Sequence, residues 1–167
     1  MKNGFIFVLI AGLISTIFNT TVAVAQRKID LEARWGFISP CSSSRDEVEK
    51  RLGDSITKNK NSAFQTYSSK IEKLTVGYST KKQDQKYCGR PIKVGTVIQF
   101  FVYTFDDIKL SELMVDLTKY QRDGSQSPRE IFYTNKEKGI GIVTHIVEIS
   151  KGTKVELVRS VHFDPSK

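Results

Sequence analysis

Two cysteines, two histidines and a single tryptophan are spread over 167 residues, and each scarcity removes chemistry. Two thiols with no C-x-x-C, and no basic cradle around Cys41, argue against a redox or catalytic cysteine. The two imidazoles, His145 and His162, fall in strand-like segments and form no H-E-x-x-H. A G-x-S-x-G nucleophile elbow and a phosphate loop are missing as well. Asp106-Asp107 lacks the loop pattern that calcium sites need and reads as a turn. No repeat or low-complexity tract is present. These absences point to a non-enzymatic protein with no cofactor and no bound metal. The rival that they leave standing is a hydrolase whose carboxylates come together only in the fold.

The N-terminal 26 residues, "MKNGFIFVLIAGLISTIFNTTVAVAQ", set the compartment. Lys2 precedes an apolar run from Phe5 to Phe18, and Ala23-Val24-Ala25 offers small residues at a cleavage site. That is the pattern of a secretory signal peptide, removed after Ala25. The run is short and interrupted against the roughly 20 residues needed to span a bilayer. No cysteine follows the cleavage site to carry a lipid. The expected organisation is a signal peptide over 1–25 and one α+β domain over 26–167, secreted or periplasmic and without stable membrane insertion.

In an exported chain, Cys41 and Cys88 read as one disulfide. It would close a loop of about 47 residues, worth about 4 kcal/mol in the chain-entropy model. The neighbouring stretch "SSSRDEVEKRLG" carries a complete set of helix signals. Ser44 and Glu47 form a capping box. Asp46 and Glu47 at the start, with Lys50 and Arg51 at the end, suit the helix dipole. Val48 and Leu52 share a face, and Gly53 supplies the stop. So short a helix is unstable alone and must dock on something.

What it docks on reads as sheet. "KLTVGYST" alternates Leu74, Val76 and Tyr78 against polar neighbours, as a strand with one buried face does. "GTVIQFFVYTF" is apolar on both faces, the mark of a central strand. "REIFYTNKEKGIGIVTHIVEI" reads as a hairpin turning at Lys136 to Gly139, and "SKGT" as a second turn leading into "KVELVRSVHF". Residues 108–120 fit helix and strand patterns alike, and a short helical turn followed by an extended run is the preferred reading. Arg122 to Arg129 reads as loop. The fold class expected is a twisted antiparallel β-sheet with one or two short helices packed on it and one disulfide.

The residues from Ser44 to Gly53 resemble the "T/S-x-x-E-V-x-x-x-L-G" opening of the SmpA/OmlA-type helix-on-sheet module, an arrangement that the beta-lactamase-inhibitor proteins share. The longer pattern "SSSRDEVEKRLG … YCGRPIKVGTVIQFFVY … LSELMVDLTKY … IFYTNKEKGIGI" is similar to uncharacterised small secreted bacterial proteins. The first resemblance implies helices lying on an antiparallel sheet. It carries no outer-membrane assembly role here, because the lipidated cysteine is missing. By fold analogy alone, inhibition of another exported enzyme is a third possible role.

The remaining signals are single residues and one charged window. Simple strand alternation puts His162 with Glu156, Val158 and Ser160, opposite the apolar set, as a structural histidine. His145 and Glu148, three apart, fall on opposite strand faces. Gly139 and Gly141 read as a hairpin turn and a bulge rather than as backbone access for a ligand. Trp35 reads as an edge-packing anchor. With Lys2 removed the chain carries a net +7, and residues 57–93 account for all of it. Within that window Lys81, Lys82, Lys86, Tyr87 and Arg90 are the candidate contacts for an anionic partner, an envelope component or an acidic protein. Nucleic acid has no module signature here. A basic face without a pocket would favour such a binder. A compact pocket holding two acidic groups, or either histidine, would favour the hydrolase.

Overall fold

The computed structural model describes residues 27–57, 59, 62–80, 87–124 and 128–165. The expected signal peptide, and Lys81, Lys82 and Lys86, lie outside these residues. Two short helices, α1 (Leu31–Trp35) and α2 (Arg45–Leu52), precede seven strands. The strands are β1 (Phe64–Ser68), β2 (Glu72–Tyr78), β3 (Val97–Thr104), β4 (Gln121–Asp123), β5 (Glu130–Asn135), β6 (Ile140–Ser150) and β7 (Thr153–Phe163). They form one sheet in the order β1-β2-β3-β7-β6-β5-β4, and every pairing is antiparallel. Two meanders, β1 to β3 and β4 to β7, therefore meet edge to edge at β3 and β7. The link between them runs through two 3-10 turns, Leu110–Glu112 and Leu117–Lys119; the expected helical turn is present, and the run after it is interrupted by the second turn.

Every strand residue in the hydrophobic core comes from the same sheet face. Leu74, Val76, Phe100, Val102, Ile142 and Val161 belong to it, and Trp35, Val48, Ile108 and Leu113 close over it from the helices and the link. Trp35 is 1% exposed, so it is a core residue and not an edge anchor. Its ring meets Phe163 edge-on at 6.3 Å, and Phe163 stacks on Phe100 at 4.2 Å. One carboxylate ties α1 to β2: Arg34 Nη2 donates to Glu72 Oε2 at 2.9 Å and Trp35 Nε1 to Glu72 Oε1 at 3.4 Å. In α2 the capping box of Ser44 and Glu47 is made on both sides. Val48 is buried there, Leu52 packs on the core margin, and Gly53 ends the helix at φ 78°.

Cys41 and Cys88 are bonded, with their Cα atoms 5.6 Å apart. Cys41 takes a positive φ of 65°, and the chain beyond it joins the start of β3. The Cys41 amide donates to the Val97 carbonyl at 2.7 Å and the Val97 amide to the Ser43 carbonyl at 2.8 Å. The crosslink thus fixes the entry of α2 against the sheet.

Two further expectations need correction. Arg122 and Asp123 are not loop: they pair with Tyr133 and Phe132 in the short edge strand β4. His162 does not share a face with Glu156 and Val158. The register jumps between Val143↔Ser160 and Thr144↔Val158, leaving Arg159 as an extra residue. One inserted residue reverses the facing of all that follows. Val158 and Glu156 therefore join Val161 on the covered face, and Leu157 and Val155 join Ser160 and His162 on the other. His145 and Glu148 do sit on opposite faces.

Two stability predictions arise here. The C41S/C88S variant should lose about 4 kcal/mol, seen as a lower urea midpoint; a loss under about 1 kcal/mol would remove the crosslink from any structural role. The Tyr67 and Tyr78 hydroxyls lie 3.0 Å apart in the interior. Burial pushes both phenols above the usual tyrosine range, Tyr78 furthest. Below about pH 10 both groups are neutral whether folded or not, so they confer no pH dependence. Above it the unfolded chain releases protons that the folded one keeps, and stability falls as pH rises. Urea midpoints from pH 9 to 12 should fall more steeply for the wild type than for Y78F.

Candidate functional site

The face opposite the helices carries the unusual surface. Register across the seven strands places Thr66, Thr75, Phe101, His162, Gly141, Thr134 and Gln121 in one row. The adjoining row reads Ser68, Lys73, Tyr103, Ser160, Val143, Phe132 and Asp123. At about 4.8 Å per strand each row crosses about 29 Å of sheet. The first row is wholly half-buried or exposed, and none of the core cluster's strand residues lies on this side. Phe64 and Tyr103, on this face, are 43% and 37% exposed. Large aromatics among threonines and glutamines are more than an open sheet face needs for solubility.

Charge on these rows is balanced. Lys73 reaches over the Tyr103 ring at 5.0 Å, and Asp123 stands at the opposite end of its row. At the centre, Phe101 meets the His162 ring edge-on at 4.7 Å, and His162 Nε2 shares a hydrogen bond with Ser160 Oγ at 3.0 Å. Ser160 is buried, so the pair orients the imidazole rather than presenting a nucleophile.

Beside His162 the face opens into a cavity of about 320 Å³. Gly141 forms its floor between His162 and Thr134, with Phe132, Val143 and Gln121 around it. Asp123, Asp164 and Lys136 complete the wall. This brings one histidine and two carboxylates together, the constellation that scattered sequence positions concealed. A second concave surface, lined by Arg129, Glu130, His145, Glu148 and Arg159, holds the other histidine. Its Nδ1 is buried without a hydrogen-bond partner, and Arg159 pairs with Glu130 across its rim.

The two mid-strand glycines of the open face differ. A Cβ on Gly77 would press to 3.0 Å on the Phe64 ring and 3.1 Å on the Gln99 side chain, so alanine there would have to push both aside by a few tenths of an ångström. A Cβ on Gly141 would meet nothing closer than 3.7 Å, its φ is not positive, and it lies in unbroken register, with the bulge further along at Arg159. The bulge expected at Gly141 is therefore absent. Gly139, by contrast, has φ 63° and backs onto the Asp164 carbonyl, as the expected hairpin turn requires.

The basic window is only partly in view. Tyr87 is half-buried, and Arg90 is exposed with Nη2 donating to the Cys41 carbonyl at 3.3 Å. The two residues flank the disulfide. Among the described residues no group of three or more metal-ligating side chains occurs, and no helix is long and apolar enough to cross a membrane. Comparison with protein families, curated proteins and solved structures finds no match for this chain.

The glycine contrast yields a prediction. G77A should destabilise by about 1–3 kcal/mol through overpacking. G141A should be neutral or stabilising by up to about 1 kcal/mol, since alanine gives up less chain entropy on folding. Urea denaturation measures both, and equal destabilisation would show that Gly141 is held by packing after all.

Proposed function

We propose that this protein is an exported, non-enzymatic binding module that holds a partner from the cell envelope on its uncovered sheet face. One observation carries the reading: a half-exposed, charge-balanced face on which Phe64, Phe101, Tyr103 and Phe132 stand among hydroxyl and amide groups. Aromatic rings there supply apolar contact area at low entropic cost, and the polar groups orient what they hold. The disulfide fits an oxidising compartment, in keeping with the N-terminal signal pattern. A row that crosses about 29 Å of sheet suits an extended polymer better than a compact molecule. Because the face is neutral, retention should be weakly sensitive to salt. The anionic-partner alternative, resting on Lys81, Lys82, Lys86, Tyr87 and Arg90, would show strong salt sensitivity instead.

A second reading is favoured by the cavity itself, where His162, Asp123 and Asp164 converge: a carboxylate-dependent hydrolase. The cavity meets the condition set for an enzyme; the reading ranks second because a catalytic site confined to it leaves Phe64, Phe101 and Tyr103, on the rest of the open face, without a use.

The test is co-sedimentation with insoluble envelope polymer at low and high salt, comparing wild type with Y103T/F132T. Threonine already populates this face and suits a strand, so the variant should fold. Binding by the wild type should persist at 1 M salt (a Debye length of about 3 Å) and fall at least tenfold in the variant. Undiminished binding by the variant, or complete release of the wild type by salt, would refute the open face as the working surface.

A further inference from the structure

We infer that the cavity over Gly141 is a subsite for one neutral sugar ring of a glycan chain lying across the strands. This rests on the preceding reading of the open face and names its ligand class. Glycine inside a strand costs about 0.5–1 kcal/mol relative to alanine. It recurs where a bulge, a bend or the close approach of another group demands it. At Gly141 the register is regular, φ is not positive, and a Cβ would find ordinary contacts at 3.7 Å and beyond. Folding leaves that glycine unexplained; an occupant resting on the backbone explains it.

The lining specifies the occupant. A volume of about 320 Å³ lies at the low end of small-molecule sites, which span about 300–1,000 Å³. Phe132 offers apolar surface in the row that ends at Asp123. Thr134 and Gln121, in the adjoining row, offer a hydroxyl and an amide, so the rim both donates and accepts. His162 turns its Nδ1 to within 3.9 Å of the position a Gly141 Cβ would occupy, while its Nε2 stays on Ser160. The row from Thr66 to Gln121 carries no lysine or arginine that would hold an anion along it. A ring with one C–H face and a hydroxyl rim meets each of these groups, and the row running on through His162, Phe101 and Thr75 accommodates further units.

The experiment is an amide chemical-shift titration of the ¹⁵N-labelled protein with cellotetraose and with N-acetylchitotetraose, and with tetragalacturonate as the anionic arm. A neutral probe should shift the amides of Gly141, Thr134 and Gln121 and saturate with a dissociation constant below about 10 mM. G141V, which fills the notch with a strand-favouring side chain, should weaken binding at least tenfold and leave the melting temperature equal or higher. T134R closes the notch from the wall and serves if G141V folds poorly. The assignment is overturned if neither neutral probe moves these amides, if only the galacturonate does, or if both filled variants bind like the wild type. The two proposals fail separately. Loss of polymer binding in Y103T/F132T without any neutral-glycan shift sinks the sugar subsite and keeps the open face. Slow conversion of a bound probe into shorter products keeps the subsite and sinks the non-enzymatic reading.

Discussion

The Trp35–Phe163–Phe100 stack joins α1 to the two strands at which the meanders meet, and much of the structure hangs on that junction. A seven-stranded sheet needs a cover on at least one face, and among the described residues that cover is thirteen helical residues, the short segments beside them that bring in Ile29 and Ile38, and one irregular link. Trp35 meets Phe163 of β7, and the link lies beside β7, where the Val158 amide donates to the Ile108 carbonyl at 2.7 Å. Helices of five and eight residues cannot persist on propensity. They are held by Glu72 gripping Arg34 and Trp35, by the Ser44 capping box, and by the disulfide that anchors the entry to α2. With so little chain available for cover, the second face has none among the described residues.

That asymmetry links fold to function. Aromatic residues on β3, β5 and β1 that would be core in a three-layer protein stand half-exposed here. β3 shows it most plainly: Phe100 and Val102 are fully buried while Phe101 and Tyr103 look outward. Its two-sided apolar pattern predicts a strand buried on both faces, yet only one face is covered. The discrepancy between pattern and burial is the physical basis for placing a partner on the outer face, since apolar surface left in water is costly unless something covers it.

Bulges decide which residues reach that face. Arg159 and Ile98 each add one residue to a strand against its neighbour, and each turns the rest of its strand over. Without the extra residue at Arg159, His162 would lie with Val158 and Glu156. With it, the imidazole stands beside Gly141, two strands from Thr134 and three from Gln121. The edges are also managed: the loop before β1 donates the Ile56 amide to the Thr66 carbonyl and the Thr57 hydroxyl accepts the Thr66 amide, so that edge offers few groups for pairing with another chain.

Local chemistry was legible from residue order alone. The capping box at Ser44, the stop at Gly53, the alternation of Leu74, Val76 and Tyr78, and the turns at Lys136–Gly139 and Lys151–Gly152 are encoded within a few residues of one another. The pairing of Cys41 with Cys88 followed from there being only two thiols. α1 and β1 were not legible: five-residue elements carry little periodicity, and each is held by distant partners, Glu72 for one and β2 for the other. Strand order, the bulge at Arg159, and the meeting of His162, Gly141 and Asp123 belong to the tertiary structure. They depend on hydrogen-bond register between strands far apart in the chain, and a shift of one residue there, invisible in composition or spacing, exchanges the buried face for the open one.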